Sequence, residues 1–595
     1  MRAVNSFRLG AWLEQRAAEL ARLPVLFGRV QPAVRRAQAS GTAPFLAWLE
    51  AHAARTPDAL CVELDGERVT YAQARQRIRR AAHALVEAGV QAGDVVALIG
   101  GNSPSYLLLV LASSYAGASA ALLNPELRGE PLAHALGAVK PRVVLLEARC
   151  NDALTGLQPT AHIATVLSYG SGSPDALDTL PDGAPELREP RADPSGVFVF
   201  IFTSGTTGLP KPCRVRHERA CSAATLFGSI AFEFRKGDKL YCALPLHHSS
   251  ALLIGVGAAL VAGVPIALRR KFSAREFAAD LARYGATATL YVGDICRALV
   301  HTPPHPAEQS LALRVAVGNG LEPAVWAEFQ RRFGAPRIRE FYASTEAPAA
   351  ILNLTGTVGS VGHVPFERKR GFRLVRLDVE RTQLERDARG LARDCEPDEP
   401  GELLLRVFPN AAEPLGAFGG YAADDAASGA RLARDVFEPG DAYFRSGDLL
   451  RRDRHGYFFF VDRLGDGFRW KGENVSALQV ERVLDAGLGF PGVSVFGVAV
   501  PGYPGRAGFA EVVSEGAFDA ARFALAASAL PAHAQPCFVR PIVALDLTST
   551  QKIKKRALDL ASLTHTEALW VRQNGSYVVL APDLWNDLRS GQARL

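Results

Sequence analysis

Short apolar runs, each closed by Gly, Pro or Ser and separated by helical patterns, constrain the folding of this chain most. "DVVALI", "PRVVLLEA", "GVFVFIFTS" and "LRVAVGNG" are continuous rather than alternating. A strand with one wet face alternates polar and apolar residues, so these runs predict strands of parallel sheets covered on both faces. Ahead of the first run, Ala74, Ile78, Ala81 and Leu85 share a helical face, with Thr70 as its cap and Gly89 as its stop. The alternation of strand and helix implies βαβ units and an α/β fold. At 595 residues the chain is too long for one core, and 48% hydrophobic composition is ample for two or more domains.

After Gly401 the character changes to "GELLLRVF" and "SGDLLRRDRHGYFFFVDRLGD", where Asp453 to Gly456 forms a hairpin turn between two strands. A boundary near Asp462 to Asp466 is expected. Beyond it, "SALQVERVLDAG" predicts a helix and "VSVFGVAVPG" a strand of a small α+β domain. The Pro-, Asp- and Gly-rich stretch from Tyr169 to Ser195 is expected to be a surface connection. "SYLLLVLASSYAGASAALLNP" and "ALLIGVGAALVAGVPIAL" approach the roughly 20 residues that span a bilayer. Their internal Ser, Gly and Pro fit buried helices that turn into strands, and a transmembrane span is rejected.

The start of the chain has no apolar signal region but holds seven arginines and two glutamates in residues 1–36, with Leu9, Trp12, Leu13, Leu20 and Leu23 at helix-like spacing. Two readings stand: a helix packed on the protein with a solvated arginine face, or a helix on a membrane surface. Over the whole chain 67 basic residues nearly balance 61 acidic ones, which argues against a nucleic-acid partner and leaves small anions open. The eight cysteines, at 61, 150, 213, 221, 242, 296, 395 and 537, show no metal spacing and are expected as reduced core thiols of a cytoplasmic protein.

The run "VFVFIFTSGTTGLPKP" leads into the chemistry. Thr203, Ser204, Gly205, Thr206, Thr207 and Gly208 offer hydroxyl donors and close main-chain approach, and Lys211 adds a point charge, so the stretch suits a triphosphate. It is not a Walker loop, because Gly205 and Gly208 are three apart and Pro210 and Pro212 discourage an immediate helix.

"TSGTTGLPK" is similar to the phosphate-loop signature of the adenylate-forming superfamily of acyl-CoA synthetases, luciferases and peptide-synthetase adenylation domains, and four more stretches follow in that superfamily's order. "FYASTEAP" resembles its Y-G-x-T-E motif, departing at Ala343, Ala347 and Pro348. The resemblance implies Tyr342 at the nucleotide, Thr345 on its phosphate and Glu346 on Mg²⁺. In "RSGDLLRRDRHGYFFFVDR", Asp448 matches the residue that binds both ribose hydroxyls, and Arg463 the one that contacts ribose and phosphate. In "GDGFRWKGENVSALQVE", Gly465 falls on the hinge and Gly472 where the pantetheine arm of CoA passes. In "LTSTQKIKKRALDL" the register places the catalytic lysine at Lys552, with Lys554 and Lys555 as rivals.

"YCALPLHHSSALLIGVG", "FRWKGENVS" and "GVAVPGYPGRAG" resemble the fatty-acid-transport-protein, or very-long-chain acyl-CoA synthetase, branch over roughly residues 45 to 595. His247 and His248 stand where that family lines its acyl pocket, so His248 is a candidate pocket residue, with a structural histidine as the other reading. The resemblance implies an α/β fold with a large N-terminal adenylation domain of helix-flanked parallel sheets and a β-barrel-like part (45–463) and a mobile α+β C-terminal domain (464–595); the basic amphipathic segment 1–44 lies outside it. The resemblance also implies activation of a fatty acid by ATP, through acyl-AMP, and transfer to CoA. Transfer to a carrier protein, a bile-acid-like or aryl substrate, and a non-enzymatic uptake protein at the membrane are the alternatives.

Overall fold

The computed structural model describes residues 44–157, 163–170, 177–204, 209–364, 366–378, 383–408, 420–421, 425–464, 467–471, 473–490, 492–501, 503, 505–514, 516–545 and 569–590. The chain divides into two compact units. One comprises Met1–Gly371, Leu405–Asp435 and Pro439–Phe444; the other comprises Phe372–Leu404, Val436–Glu438 and Arg445–Leu595. The basic segment 1–43 lies outside the described residues.

The first unit carries two sheets. In one, Thr165–Tyr169, Val143–Glu147, Val95–Ile99, Ser119–Leu123, Val197–Ser204 (β1) and Pro210–Arg216 (β2) lie side by side. All neighbours are parallel except β1 and β2, which are antiparallel. The other sheet runs from Leu60–Leu64 through Ile266–Leu268, Leu240–Cys242, Ala288–Val292 and Val315–Asn319 (β3) to Arg337–Tyr342 (β4), parallel throughout. Short antiparallel strands border it at both ends. The continuous apolar runs are strands for the expected reason: Val143–Glu147 is buried at all five positions and Val315 to Gly318 at four of four.

Helix Tyr71–Glu87 (α1) begins where the sequence places it. Thr70 Oγ1 accepts from Gln73 N (3.3 Å) while Gln73 Oε1 accepts from Thr70 N (2.9 Å), a reciprocal cap that satisfies two otherwise orphaned donors. Its Ala74, Ile78, Ala81 and Leu85 are buried, and Gly89 turns the chain at φ +88°. The first uncharged stretch forms helix Pro104–Tyr115 (α2), buried at all twelve positions, then Gly117 at φ +90° and strand Ser119–Leu123. The second runs through a π-helical Ser250–Val256 and helix Gly257–Ala262 into Ile266–Leu268. Among the described residues no helix is long and apolar enough to cross a membrane. One boundary differs from expectation. Tyr169 belongs to a strand and is fully buried, and Asp178 ties the connection back by accepting from Ser105 Oγ (2.5 Å) and Gly170 N (2.8 Å).

Phe372–Val375, Gly401–Arg406, Ala442–Arg452 (β5) and Tyr457–Arg463 (β6), most of whose residues belong to the second unit, lie side by side. The β5–β6 turn has the predicted form: Asp453 Oδ1 accepts from His455 N and Tyr457 N, both at 2.9 Å, and Gly456 has φ +83°. Further along, Val493–Ala499, Arg506–Val513, Phe538–Ile542, Trp570–Gln573 and Ser576–Val579 make a five-stranded sheet with its own core, to which helix Ala477–Leu488, capped by Ser476, contributes Val480 and Leu484. All eight cysteines are buried and free.

Candidate active site

The glycine- and hydroxyl-rich stretch bridges the ends of β1 and β2, with Ser204 opposite Pro210 and Thr203 opposite Lys211. Gly205, Thr206, Thr207 and Gly208 lie outside the described residues, as does the Ser204 side chain. The chain therefore leaves this stretch as a strand, and its next helix, His217–Leu226 (α3), starts only after β2. Pro210 and Pro212 are tolerated because β2 is the edge of its sheet, where a missing N–H breaks no ladder.

Beside it, β4 delivers Tyr342 and the turn that follows. Thr345 Oγ1 lies 3.0 Å from Ser249 Oγ. Glu346 is buried, and its Oε1 accepts from Tyr421 Oη at 3.0 Å. Arg219, on α3, donates to the main-chain oxygens of Glu346 (3.3 Å), Ser344 (3.4 Å) and Ala347 (2.5 Å). Burial lowers the pKa of that guanidinium, opposed by Cys213 and Glu346. Tyr421 is tied to β2 by a bridge to Cys213 and by Arg214 Nη1 on its carbonyl (2.9 Å), and the Lys211 ammonium stands 5.9 Å from its ring centre.

The neighbouring turn after β3 is held equally firmly. Glu340, on β4 opposite Gly318, accepts from Tyr291 Oη (2.7 Å), Gly320 N (3.0 Å) and Leu321 N (3.0 Å). A Cβ on Gly293 would come within 1.8 Å of Gly320 O, so the close approach requires glycine. These turns lie at the carboxyl ends of parallel strands, where α/β sheets open their binding crevice.

The rings of His247 and His248 lie 4.3 Å apart and tilted at 47° on a loop fixed by Asn102, which donates to Leu244 O and Arg269 O (both 2.9 Å) and accepts from Leu246 N (2.8 Å). Burial, reinforced by His248, holds the His247 pKa well below that of a free imidazole. His248 is half-buried, and the aliphatic run after it joins the main core.

In the second unit Asp448 and Arg463 face each other across β5 and β6, with Arg463 Nε donating to Asp448 Oδ1 at 3.2 Å. Asp448 is buried and the Arg463 side chain 61% exposed. Buried Glu402 fixes the turn, accepting from Arg445 Nη2 (2.6 Å) and Gly447 N (3.2 Å). Gly465, Gly472, Lys552, Lys554 and Lys555 lie outside the described residues.

The sequence motifs thus supply Thr345, Glu346, Lys211, Asp448 and Arg463, whereas Arg219, Ser249, Tyr421, Glu340, Glu402 and Asn102 emerge only in the structure. Glu402 did carry a signal, an acid followed by three leucines in its strand, which requires paired partners once buried. Among the described residues no group of three or more His, Cys, Asp or Glu is arranged to hold a metal. A single carboxylate such as Glu346 suits Mg²⁺, which keeps several water ligands and needs only one or two protein carboxylates.

A family model described as AMP-binding enzyme matches residues 49–407. Over 551 residues the chain is 38% identical to long-chain fatty acid transport protein 1 of Homo sapiens, covering 89% of this chain and 84% of the relative. It is 35% identical to the medium/long-chain-fatty-acid–CoA ligase FadD6 of Mycobacterium tuberculosis, covering 89% and 87%. The fold is shared with ATP-bound MatB from Rhodopseudomonas palustris (TM-score 0.71, 23% identity, 86% of this chain and 97% of that one). It is shared as well with a benzoate CoA ligase from Burkholderia xenovorans (TM-score 0.70, 21% identity, 86% and 98%).

Proposed function

Because the chain belongs to the AMP-binding enzyme family, we propose that it is an ATP-dependent fatty acyl-CoA synthetase that converts a long- or very-long-chain acid to acyl-AMP and then to acyl-CoA. The observation that carries this reading is the grouping of Lys211, Thr345 and Glu346 around Tyr421 and Ser249, in a chain whose fatty-acid-named relatives match nearly its whole length.

In the first half-reaction the substrate carboxylate attacks the α-phosphorus of ATP and pyrophosphate leaves. Two anions must meet, so the site has to supply positive charge. Lys211 provides one cation, Glu346 would hold the Mg²⁺ that accompanies ATP, and Thr345 would donate to a phosphate oxygen. Thr203 to Gly208 would follow the leaving pyrophosphate, Tyr342 would flank the nucleotide, and Asp448 with Arg463 would take the ribose. Lys552 would add charge in this step only. In the second half-reaction the 464–595 domain would pivot at Gly465, withdraw Lys552 and present Gly472 to the pantetheine arm, so that the CoA sulfur displaces AMP. A peripheral membrane contact by the basic segment 1–44 of an otherwise cytoplasmic enzyme rests on its arginines and helix-like apolar spacing, whereas the roles of Gly205 to Gly208, Gly465, Gly472 and Lys552 rest on sequence resemblance alone. His248 is assigned to the acyl pocket on the same basis.

The decisive experiment is CoA-dependent AMP release measured across carboxylic acids of graded length, with aryl acids and a holo carrier protein as comparison arms. AMP release that requires a long-chain acid and free CoA is the expected result. Preference for an aryl acid, or for the carrier protein, replaces the substrate or the acceptor. Bound fatty acid with no AMP release overturns the enzymatic reading.

A further inference from the structure

Tyr421 has no role in the motifs, yet it touches both charged components assigned above to the triphosphate. Its main chain is strapped to β2: Arg214 N donates to Gly420 O (3.4 Å), Arg214 Nη1 to Tyr421 O (2.9 Å), and Cys213 pairs with Tyr421 in an antiparallel bridge. On the other side its own N–H donates to Ser428 Oγ at 2.9 Å. The strand that carries Lys211 therefore fixes the position of the phenol, and the Lys211 ammonium stands over the same ring.

The side chain is 4% exposed, and its hydroxyl donates to Glu346 Oε1 at 3.0 Å. The Arg431 guanidinium reaches the same phenol oxygen, which makes a chain from Arg431 through Tyr421 to Glu346 in which each hydrogen bond polarises the next. Arg219 meanwhile holds the Glu346 carbonyl. A glutamate has three rotatable side-chain bonds, and this one is gripped at both ends.

We infer that Tyr421 is the positioning residue for Glu346, occupying Oε1 so that Oε2 is the oxygen offered to the magnesium ion of ATP, and holding that carboxylate in register with Lys211. The inference rests on the proposed adenylating function and adds a residue to it. Partners that orient a ligating carboxylate are typically worth 10- to 100-fold in metal affinity or activity.

The test uses the full chain. ATP binding is measured by calorimetry with Mg²⁺ and with EDTA, and ATP/pyrophosphate exchange is titrated with Mg²⁺, for the unsubstituted protein, Tyr421→Phe, Glu346→Gln and the double variant. Tyr421→Phe is expected to raise the half-saturating Mg²⁺ concentration about tenfold, to leave ATP affinity in EDTA unchanged, and to keep the melting midpoint within a few degrees. The double variant should then behave as Glu346→Gln alone, because both changes act on one ligand. An unchanged Mg²⁺ requirement, an equal loss of affinity with Mg²⁺ and with EDTA, or additive effects in the double variant would each overturn the inference while leaving the enzyme's function standing. Absence of Mg²⁺-dependent exchange in the unsubstituted protein would instead overturn the function itself.

Discussion

Arg219 commits a buried charge to the main chain of one loop. Three carbonyls take up its guanidinium, and they belong to Ser344, Glu346 and Ala347. Arg219→Ala is expected to cost about 2–3 kcal/mol in urea unfolding, the range for hydrogen bonds to a charged group, and to lower the rate of ATP/pyrophosphate exchange. Arg219→Lys should restore little of that exchange, since an ammonium cannot span the carbonyls as a planar fork does. The motif residues were legible because their chemistry sits in short contiguous words. Arg219 and Tyr421 were not, because their partners lie 127 and 75 residues away and a hydrogen bond at that separation leaves no local pattern.

The strands and helix caps were legible for a related reason: periodicity and capping are local. The apolar runs, the Thr70 cap, the Asp453 turn and the buried helix-turn-strand segments all appear where the sequence placed them. The direction of β2 was not legible. Its two prolines argued only against a helix, and the edge position that admits them is a property of the assembled sheet. The glycine pair Gly293 and Gly320 is the element-level counterpart of Arg219, joining a helix start to the turn after β3 with no room for a methyl group. Gly293→Ala is expected to destabilise the protein by about 1–3 kcal/mol, the usual cost of overpacking, visible as an earlier urea midpoint. It should also raise the KM for ATP more than it lowers kcat, if the turn borders the nucleotide.

At the scale of the whole molecule, the catalytic role proposed for Lys552 predicts that the two half-reactions can be separated. Lys552→Ala should reduce ATP/pyrophosphate exchange about a hundredfold or more, as for removal of one preorganised electrostatic group, while transfer from supplied acyl-AMP to CoA persists. Equal loss of both would break the two-step assignment. Stability as a whole should fall in mild acid. His217, whose ring lies 4.9 Å from that of Phe198 at a 42° tilt, has its pKa lowered to about 4 by burial against a weaker opposing pull from Asp193. The unfolded chain then binds a proton near pH 6.5 that the folded chain refuses, so His217 costs nothing above that pH. Below it, stability falls by about 1.4 kcal/mol per pH unit until the folded pKa is reached. His217→Phe should flatten the urea midpoint between pH 6.5 and 4 by roughly one proton's worth of slope.

The eight cysteines have a bearing on the reactive intermediate. An acyl-adenylate is a mixed anhydride that acylates whichever thiolate reaches it. Burial pushes the thiols of Cys61, Cys213, Cys221, Cys242 and Cys395 up to about 12 and that of Cys537 up to about 11. Cys150 and Cys296 are buried as well, with raised values. Iodoacetamide should therefore label the folded protein negligibly and the urea-unfolded protein at all eight positions. A protein that generates so reactive an acyl donor thereby withholds its own sulfur from self-acylation, and the thiol that CoA brings in meets no internal competitor.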